Sequence, residues 1–217
     1  MGKLIYGVGV NDADYVIKVN ETIGYVDGKR KRRQAWVCPF YQKWTHMLER
    51  GHSERFKLKN PTYKDVTVCK EWHLFSTFKS WMQEQDWEGK QLDKDLLVRE
   101  NKVYNPSVCV FVSGQVNKFL TERGNDRGKY RIGACWHKAT GKFIANCSSP
   151  FTGKVDHLGL FTNEDEAHRA WLAKKLEYAY ALAEIQTDKR VAKALIDRYE
   201  NWFDQSEREI CVDICHA

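Results

Sequence analysis

Apolar and polar residues alternate along the first stretch of the chain, at Leu4, Tyr6, Val8 and Val10 and again at Tyr15, Ile17 and Val19. That two-residue period predicts strands. Asp27 and Gly28 form a turn signal, and Lys29, Arg30, Lys31, Arg32 and Arg33 follow it directly. The basic run is expected as an exposed loop, with a solvated hairpin tip as the alternative. From Cys38 onward the period lengthens. Phe40, Trp44, Met47 and Leu48 fall at helical spacing, as do Trp72, Phe75, Phe78 and Met82. Both stripes predict core helices. Val66–Val68, Leu96–Val98 and Val108–Val112 are short strand candidates, and the loop between the last two carries Asn101, Asn105 and Pro106.

Beyond Gly124 the pattern predicts three strands and a helix. Tyr130–Trp136 alternates, turns at Ala139, Thr140 and Gly141, and resumes over Lys142–Cys147. Pro150–Lys154 makes a second turn before a third strand at His157–Phe161. Thr162, Asn163, Glu164 and Asp165 then form a capping-box-like start, with acidic residues in the first turn and Lys174 and Lys175 later, as the helix dipole prefers. A last helix is expected from Thr187, with Val191, Leu195, Tyr199 and Trp202 on one face.

Composition narrows the class. In 217 residues, 42% hydrophobic and 13% aromatic content supports a packed core and excludes wholesale disorder. No apolar run approaches the ~18 residues needed to span a bilayer, and no secretory signal is expected. The seven cysteines are dispersed without a CxxC pair, so neither a disulfide framework nor zinc is expected, and a cytoplasmic location with reduced thiols is. A net charge of +6, sharpened by the run at Lys29–Arg33, is suggestive of a polyanionic partner.

Two resemblances add to this. Tyr130, Arg131, Ile132, Gly133, Ala134, Cys135, Trp136, His137 and Lys138, followed by Gly141, Lys142, Phe143 and Ala145, then His157–Phe161 and Glu166–Trp171, resemble the AP2 domain, which writes YRGVxW, GKWxAxI and LGxFxTxEEAAxAY. The departures are at Ile132–Gly133 and at Asn146–Ser149. The resemblance implies a three-stranded antiparallel sheet packed on one helix, the sheet entering the major groove of double-stranded DNA. Its matching exposed positions are Arg131, Trp136, Lys138 and Lys142, with His157 beside them. A β-ribbon suits that groove, where Arg and Lys meet guanine edges and phosphates. Trp136 has an alternative place, as a core tryptophan beneath the helix.

Leu92, Asp93, Lys94 and Asp95, then Asn105 to Val112 and Asn117, are similar to bacteriophage HNH-type endonucleases that carry a C-terminal AP2 domain. That group runs LDHxD, NNxPxNLRxV and a final Asn. The resemblance implies a ββα block, a divalent metal, and hydrolysis of phosphodiester bonds. Lys94 stands where the family's general-base histidine belongs, and Cys109 falls near the second ligand position. Asp93, Lys94, Asp95, Asn101 and Asn105 are therefore the catalytic candidates, and Asp93, Asp95 and Cys109 the metal candidates, for Mg²⁺ or Mn²⁺. If 92–96 form a strand, Asp93 and Asp95 share a face and can present two hard oxygen ligands. His52 or His73 is the candidate for a displaced base.

The expected fold is α+β in four parts. Residues 1–37 form an N-terminal β-rich segment with the basic run, 38–122 an HNH-like block, 123–186 an AP2-like domain, and 187–217 a C-terminal helix and tail. The expected function is binding of double-stranded DNA together with metal-dependent nicking or cutting, in a host cell's cytoplasm if the chain is phage-encoded. The alternative is an inactive scaffold serving as a DNA-binding regulator or as an inhibitor of a host protein. No membrane and no small-molecule substrate is expected.

Overall fold

The computed structural model describes residues 3–121 and 129–214, with side chains to 205. Helices account for 41% and strands for 26% of the chain, an α+β composition with small sheets. No helix among the described residues is long and apolar enough to cross a membrane. The chain divides after Phe111 into two compact units. The boundary expected at 122–123 lies outside the described residues.

In the first unit, residues 3–17 are irregular rather than strand, held by isolated bridges such as Ile5 to Gly9 and Val10 to Leu74. A two-stranded antiparallel ribbon follows, β1 (Lys18–Val26) against β2 (Lys29–Val37). Asp27 and Gly28, at φ +48° and +71°, make the tight turn between them, a left-handed pair that favours Asp-Gly. The basic run is thus a strand, not a loop. Next come α1 (Pro39–His52), α2 (Glu54–Lys59) and α3 (Phe75–Gln83). The two aromatic stripes become the core as expected: Trp44, Met47, Leu48, Phe75, Phe78 and Met82 are fully buried. The Trp44 indole Nε1 donates to the Trp72 carbonyl at 2.7 Å, so its polar atom is satisfied. Leu74, at the α3 N-cap position, offers no capping oxygen; Asp12 Oδ1 accepts the Ser76 N–H at 2.9 Å in its place. The short strands β3 (Thr67–Val68) and β5 (Val103–Tyr104) pair in parallel, and β4 (Gln91–Asp93) pairs with β6 (Val110–Val112). Leu96–Val98 is not a strand.

The second unit opens with α4 (Gly114–Leu120). The helix of the expected ββα block therefore falls in this unit, with the three-stranded sheet. That sheet is β7 (Ala134–His137), β8 (Lys142–Ser148) and β9 (Val155–Phe161), antiparallel in the order β7-β8-β9. It packs on α5 (Glu164–Glu184), which packs in turn on α6 (Lys189–Ile214). The α5 cap sits one residue later than the sequence suggests: Asn163 Oδ1 accepts the Glu166 N–H at 2.8 Å, and Glu166 Oε2 accepts from the Thr162 hydroxyl at 3.0 Å. Buried Lys175 donates to the Phe119 carbonyl at 2.8 Å, at the end of α4, with its ammonium 3.8 Å from the Phe119 ring centroid. Gly133 (φ +83°) lets β7 approach α5 closely, since a Cβ there would lie 2.1 Å from Trp171 Cγ.

Candidate functional site

In the second unit the register decides which residues the sheet presents. Ala145 and Cys147 of β8 are buried, and Cys147 feels the charges of Lys174 and Lys175 on α5. Side chains alternate along a strand, so Lys142, Ile144 and Asn146 lie on the opposite, outer face. Cross-strand pairing carries the assignment outward: His137 stands opposite Lys142, Leu160 opposite Ile144, and His157 opposite Asn146. A hydrogen bond of 3.1 Å between His157 Nδ1 and Asn146 Oδ1 agrees with that placement. A register shift between Ala145 and Asn146 absorbs one extra residue of β9.

Asp156, the one carboxylate within these strands, falls on the α5 side, where the Tyr178 hydroxyl donates to it. The outer face of the described sheet is thus free of carboxylates and carries a lysine, two histidines and an asparagine. Lys138 sits exposed in the adjoining turn.

Two expected contacts are placed differently. Trp136 pairs with Phe143, two residues from Ala145, so both rings stand on the α5 side, 5.0 Å apart and 38% exposed at the tryptophan. Its outward placement is corrected by strand parity: Trp136 is on the core side, at the sheet margin. Arg131 lies before β7, where its guanidinium pairs with Asp165 at 3.0 Å and its N–H donates to Glu164. Arg131 is therefore engaged with the first turn of α5. Asn146 is the residue that sequence reasoning missed. Alternation with Lys142 and Ile144 is the signal that could have found it.

In the first unit, β4 stops at Asp93 and the chain turns. The cause is local. Asp93 Oδ1 accepts the N–H groups of Asp95 (2.9 Å) and Leu96 (2.7 Å), a capture that replaces strand bonding with a turn. Asp93 and Asp95 accordingly do not share a strand face. Lys94 is buried, and its ammonium donates to Asp95 Oδ1 at 2.5 Å, Asp95 Oδ2 at 2.7 Å and the Asn101 carbonyl at 2.9 Å. The rings of Tyr63 and Tyr104 lie 5.9 Å from it. Asn101 completes the closure, its Nδ2 donating to the Lys94 and Val103 carbonyls at 2.9 and 2.8 Å. Asn105 instead shapes its own turn, where its Oδ1 accepts from Ser107 N at 3.0 Å and Ser107 Oγ at 2.6 Å.

Electrostatics follow from this burial. Desolvation pushes the Asp93 carboxyl above the usual carboxylate range, against the pull of the Leu96 and Asp95 N–H groups. Burial also works against the Arg50 charge, yet Tyr104, Tyr63 and Asp93 more than offset it and hold the guanidinium pKa up. Burial pushes the Cys109 thiol up to about 12, so it is a protonated core residue. Tyr63 and Tyr104 carry no sequence signal for this cluster.

A divalent ion does not fit the residues as placed. Both Asp95 oxygens are taken by an ammonium, Asp93 Oδ1 by two N–H groups, and the Cys109 thiol is neutral and soft. Among the described residues, no group of three or more His, Cys, Asp or Glu side chains is arranged to hold a metal.

His52 and His73 do come together, their rings 5.2 Å apart and edge-to-face, with each buried Nε2 lacking a hydrogen-bond partner. Burial, then the neighbouring His73 and Lys57, lowers the His52 pKa below the ordinary 6.5. Above pH ~6.5 His52 is neutral in both folded and unfolded chains. Below it, the unfolded chain takes up a proton that the folded chain refuses, so stability falls as pH falls. The thermal midpoint is expected to drop between pH 7.5 and 5, and His52→Gln should shrink that drop, leaving the share due to His46, whose pKa burial also lowers. An unchanged drop in the variant would remove His52 as a source.

The chain matches no protein-family model, no characterised protein and no solved structure.

Proposed function

We propose that the chain is a double-stranded DNA-binding protein that contacts the duplex through the outer face of the β7-β8-β9 sheet. The observation that carries this is the carboxylate-free outer face, with Lys142 and His137 paired at one end and Asn146 and His157 further along. Lys supplies phosphate or guanine contacts, and the Asn amide is the side chain best suited to adenine. Each lost base or phosphate contact is worth about 1–3 kcal/mol. Lys142→Ala and Asn146→Ala are therefore each expected to weaken duplex binding roughly 5- to 150-fold in fluorescence anisotropy. Affinity should also fall steeply between 50 and 200 mM salt, as counterion release requires. Variants that bind as tightly as the parent would sink the sheet as the contact surface.

Metal-dependent hydrolysis at Asp93–Asp95 is the second reading: Asp93, Lys94, Asp95 and Asn101 are gathered into a single cluster, although as placed both Asp95 oxygens and Asp93 Oδ1 are taken and hold no divalent ion. It requires Lys94 to release Asp95. Incubation with supercoiled plasmid and Mg²⁺ or Mn²⁺ tests it, beside Asp93→Ala/Asp95→Ala and a chelator control. Nicked or linear product lost in both controls would establish hydrolysis there. Retardation without cleavage supports DNA binding alone, and neither result would move attention to a protein partner.

A further inference from the structure

The geometry points to the β1–β2 ribbon as a second DNA-contacting element, one that lies inside the major groove rather than against the outside of the duplex. This rests on the double-stranded DNA reading above and extends it to the first unit. Among the described residues the ribbon pairs with no other strand. Nearly all of it is exposed on both faces, including Ile23 at 48%, Tyr25 at 66% and Val26 at 55%. An isolated two-stranded hairpin is only marginally stable in water, so a ribbon with so much uncovered apolar surface has a covering partner.

Charge names its chemistry. β2 opens with five successive cations, and the strands themselves contain a single carboxylate, Glu21, which Arg33 occupies at 2.8 Å. Lys29, Arg30, Lys31 and Arg32 remain for a polyanion.

Alternation names the geometry. The register shift opposite Arg32 and Lys31 places its extra residue, Ile23, on β1, so β2 keeps its alternation, with Arg30 and Arg32 projecting from one face and Lys29 and Lys31 from the other. A ribbon lying on the outside of a duplex uses one face only. A ribbon within the major groove is flanked by phosphates on both walls, and that groove, about 12 Å wide, admits two strands. Nine residues per strand give a reach of about 30 Å. The register shifts at Val19/Asn20 and Thr22/Gly24 add the local twist and bend with which a ribbon follows a helical groove.

The test uses the full chain and measures duplex affinity against salt for three threonine variants, threonine keeping the strand preference. One variant replaces Arg30 and Arg32, one Lys29 and Lys31, and one all four. Each double variant is expected to reduce the slope of log K against log salt by about 2, and the fourfold variant by about 4, at roughly 0.9 per phosphate. A loss from one double variant only would overturn groove insertion in favour of one-sided contact. No loss from any, in a parent that binds, would overturn the ribbon as a contact while leaving the sheet intact. A parent that binds no duplex would overturn the DNA reading itself. Circular dichroism matching the parent certifies each variant as folded. An RNA duplex should compete poorly, because its major groove is too narrow for side chains, and equal competition would overturn the groove assignment.

Discussion

Lys94→Ala is expected to lower the stability of the first unit by about 3 kcal/mol and its thermal midpoint by roughly 10 °C or more. The substitution removes three donated hydrogen bonds, to both Asp95 oxygens and the Asn101 carbonyl, and empties a space beside Tyr63 and Tyr104. Asp95 is half-exposed and recovers water, so its loss is partial. The Asn101 carbonyl and the buried lysine stem have no such recourse, each stem methylene alone contributing about 0.8 kcal/mol. Lys94→Met, which keeps the stem and removes the donors, should cost about half as much. Differential scanning fluorimetry of the parent and both variants checks this. A Lys94→Ala midpoint within a degree of the parent would show that the ammonium does not hold the 93–103 loop.

In the second unit the largest effect is expected from Gly133→Ala, at about 3–5 kcal/mol, a large share of the roughly 5–15 kcal/mol by which a domain is stable. Two costs add. A Cβ would fall 2.1 Å from Trp171 Cγ and 2.5 Å from its Cβ, atoms at the root of a buried side chain that cannot swing aside. The φ of +83° also lies in the left-handed region, where any side chain is strained. Because the clash is with α5 and not with the outer face, duplex binding should be lost together with near-ultraviolet dichroism and not before it. Gly141→Ala is the control, in a turn where a Cβ meets nothing within 4 Å; its cost should be confined to its own left-handed φ of +64°. Equal stability of parent and Gly133→Ala would mean that β7 does not approach α5 this closely.

Long periods were legible in the sequence and short decisions were not. The stripes Phe40–Leu48 and Trp72–Met82, and the strands of the three-stranded sheet, announce themselves because many residues repeat one spacing. The basic run does not read as a strand, since five cations have weak strand preference; pairing with β1 across the Asp27–Gly28 turn overrides it. The face taken by Trp136 depends on parity, and the small buried pair Ala145 and Cys147 was the cue to it. Asp93, Lys94 and Asp95 stand out as a charged cluster in the sequence, but their closure does not. It depends on one side-chain oxygen capturing two backbone N–H groups and on a carbonyl at Asn101 that spacing alone cannot bring near. The HNH-like and AP2-like resemblances direct attention to these segments, and the roles of the residues come from hydrogen bonds and register.

The ribbon's open edges carry a consequence for the protein in solution. Among the described residues neither β1 nor β2 pairs with a third strand, so each presents an edge of backbone donors and acceptors, the template on which a second copy adds its own strand. The cations along β2 oppose that addition, because two such strands laid edge to edge would stack like charges. The protection is electrostatic and therefore weakens as salt shortens the screening length, from about 10 Å at 0.1 M to about 3 Å at 1 M. High salt, which strips the chain from a polyanion, is thus also the condition in which its copies are least held apart.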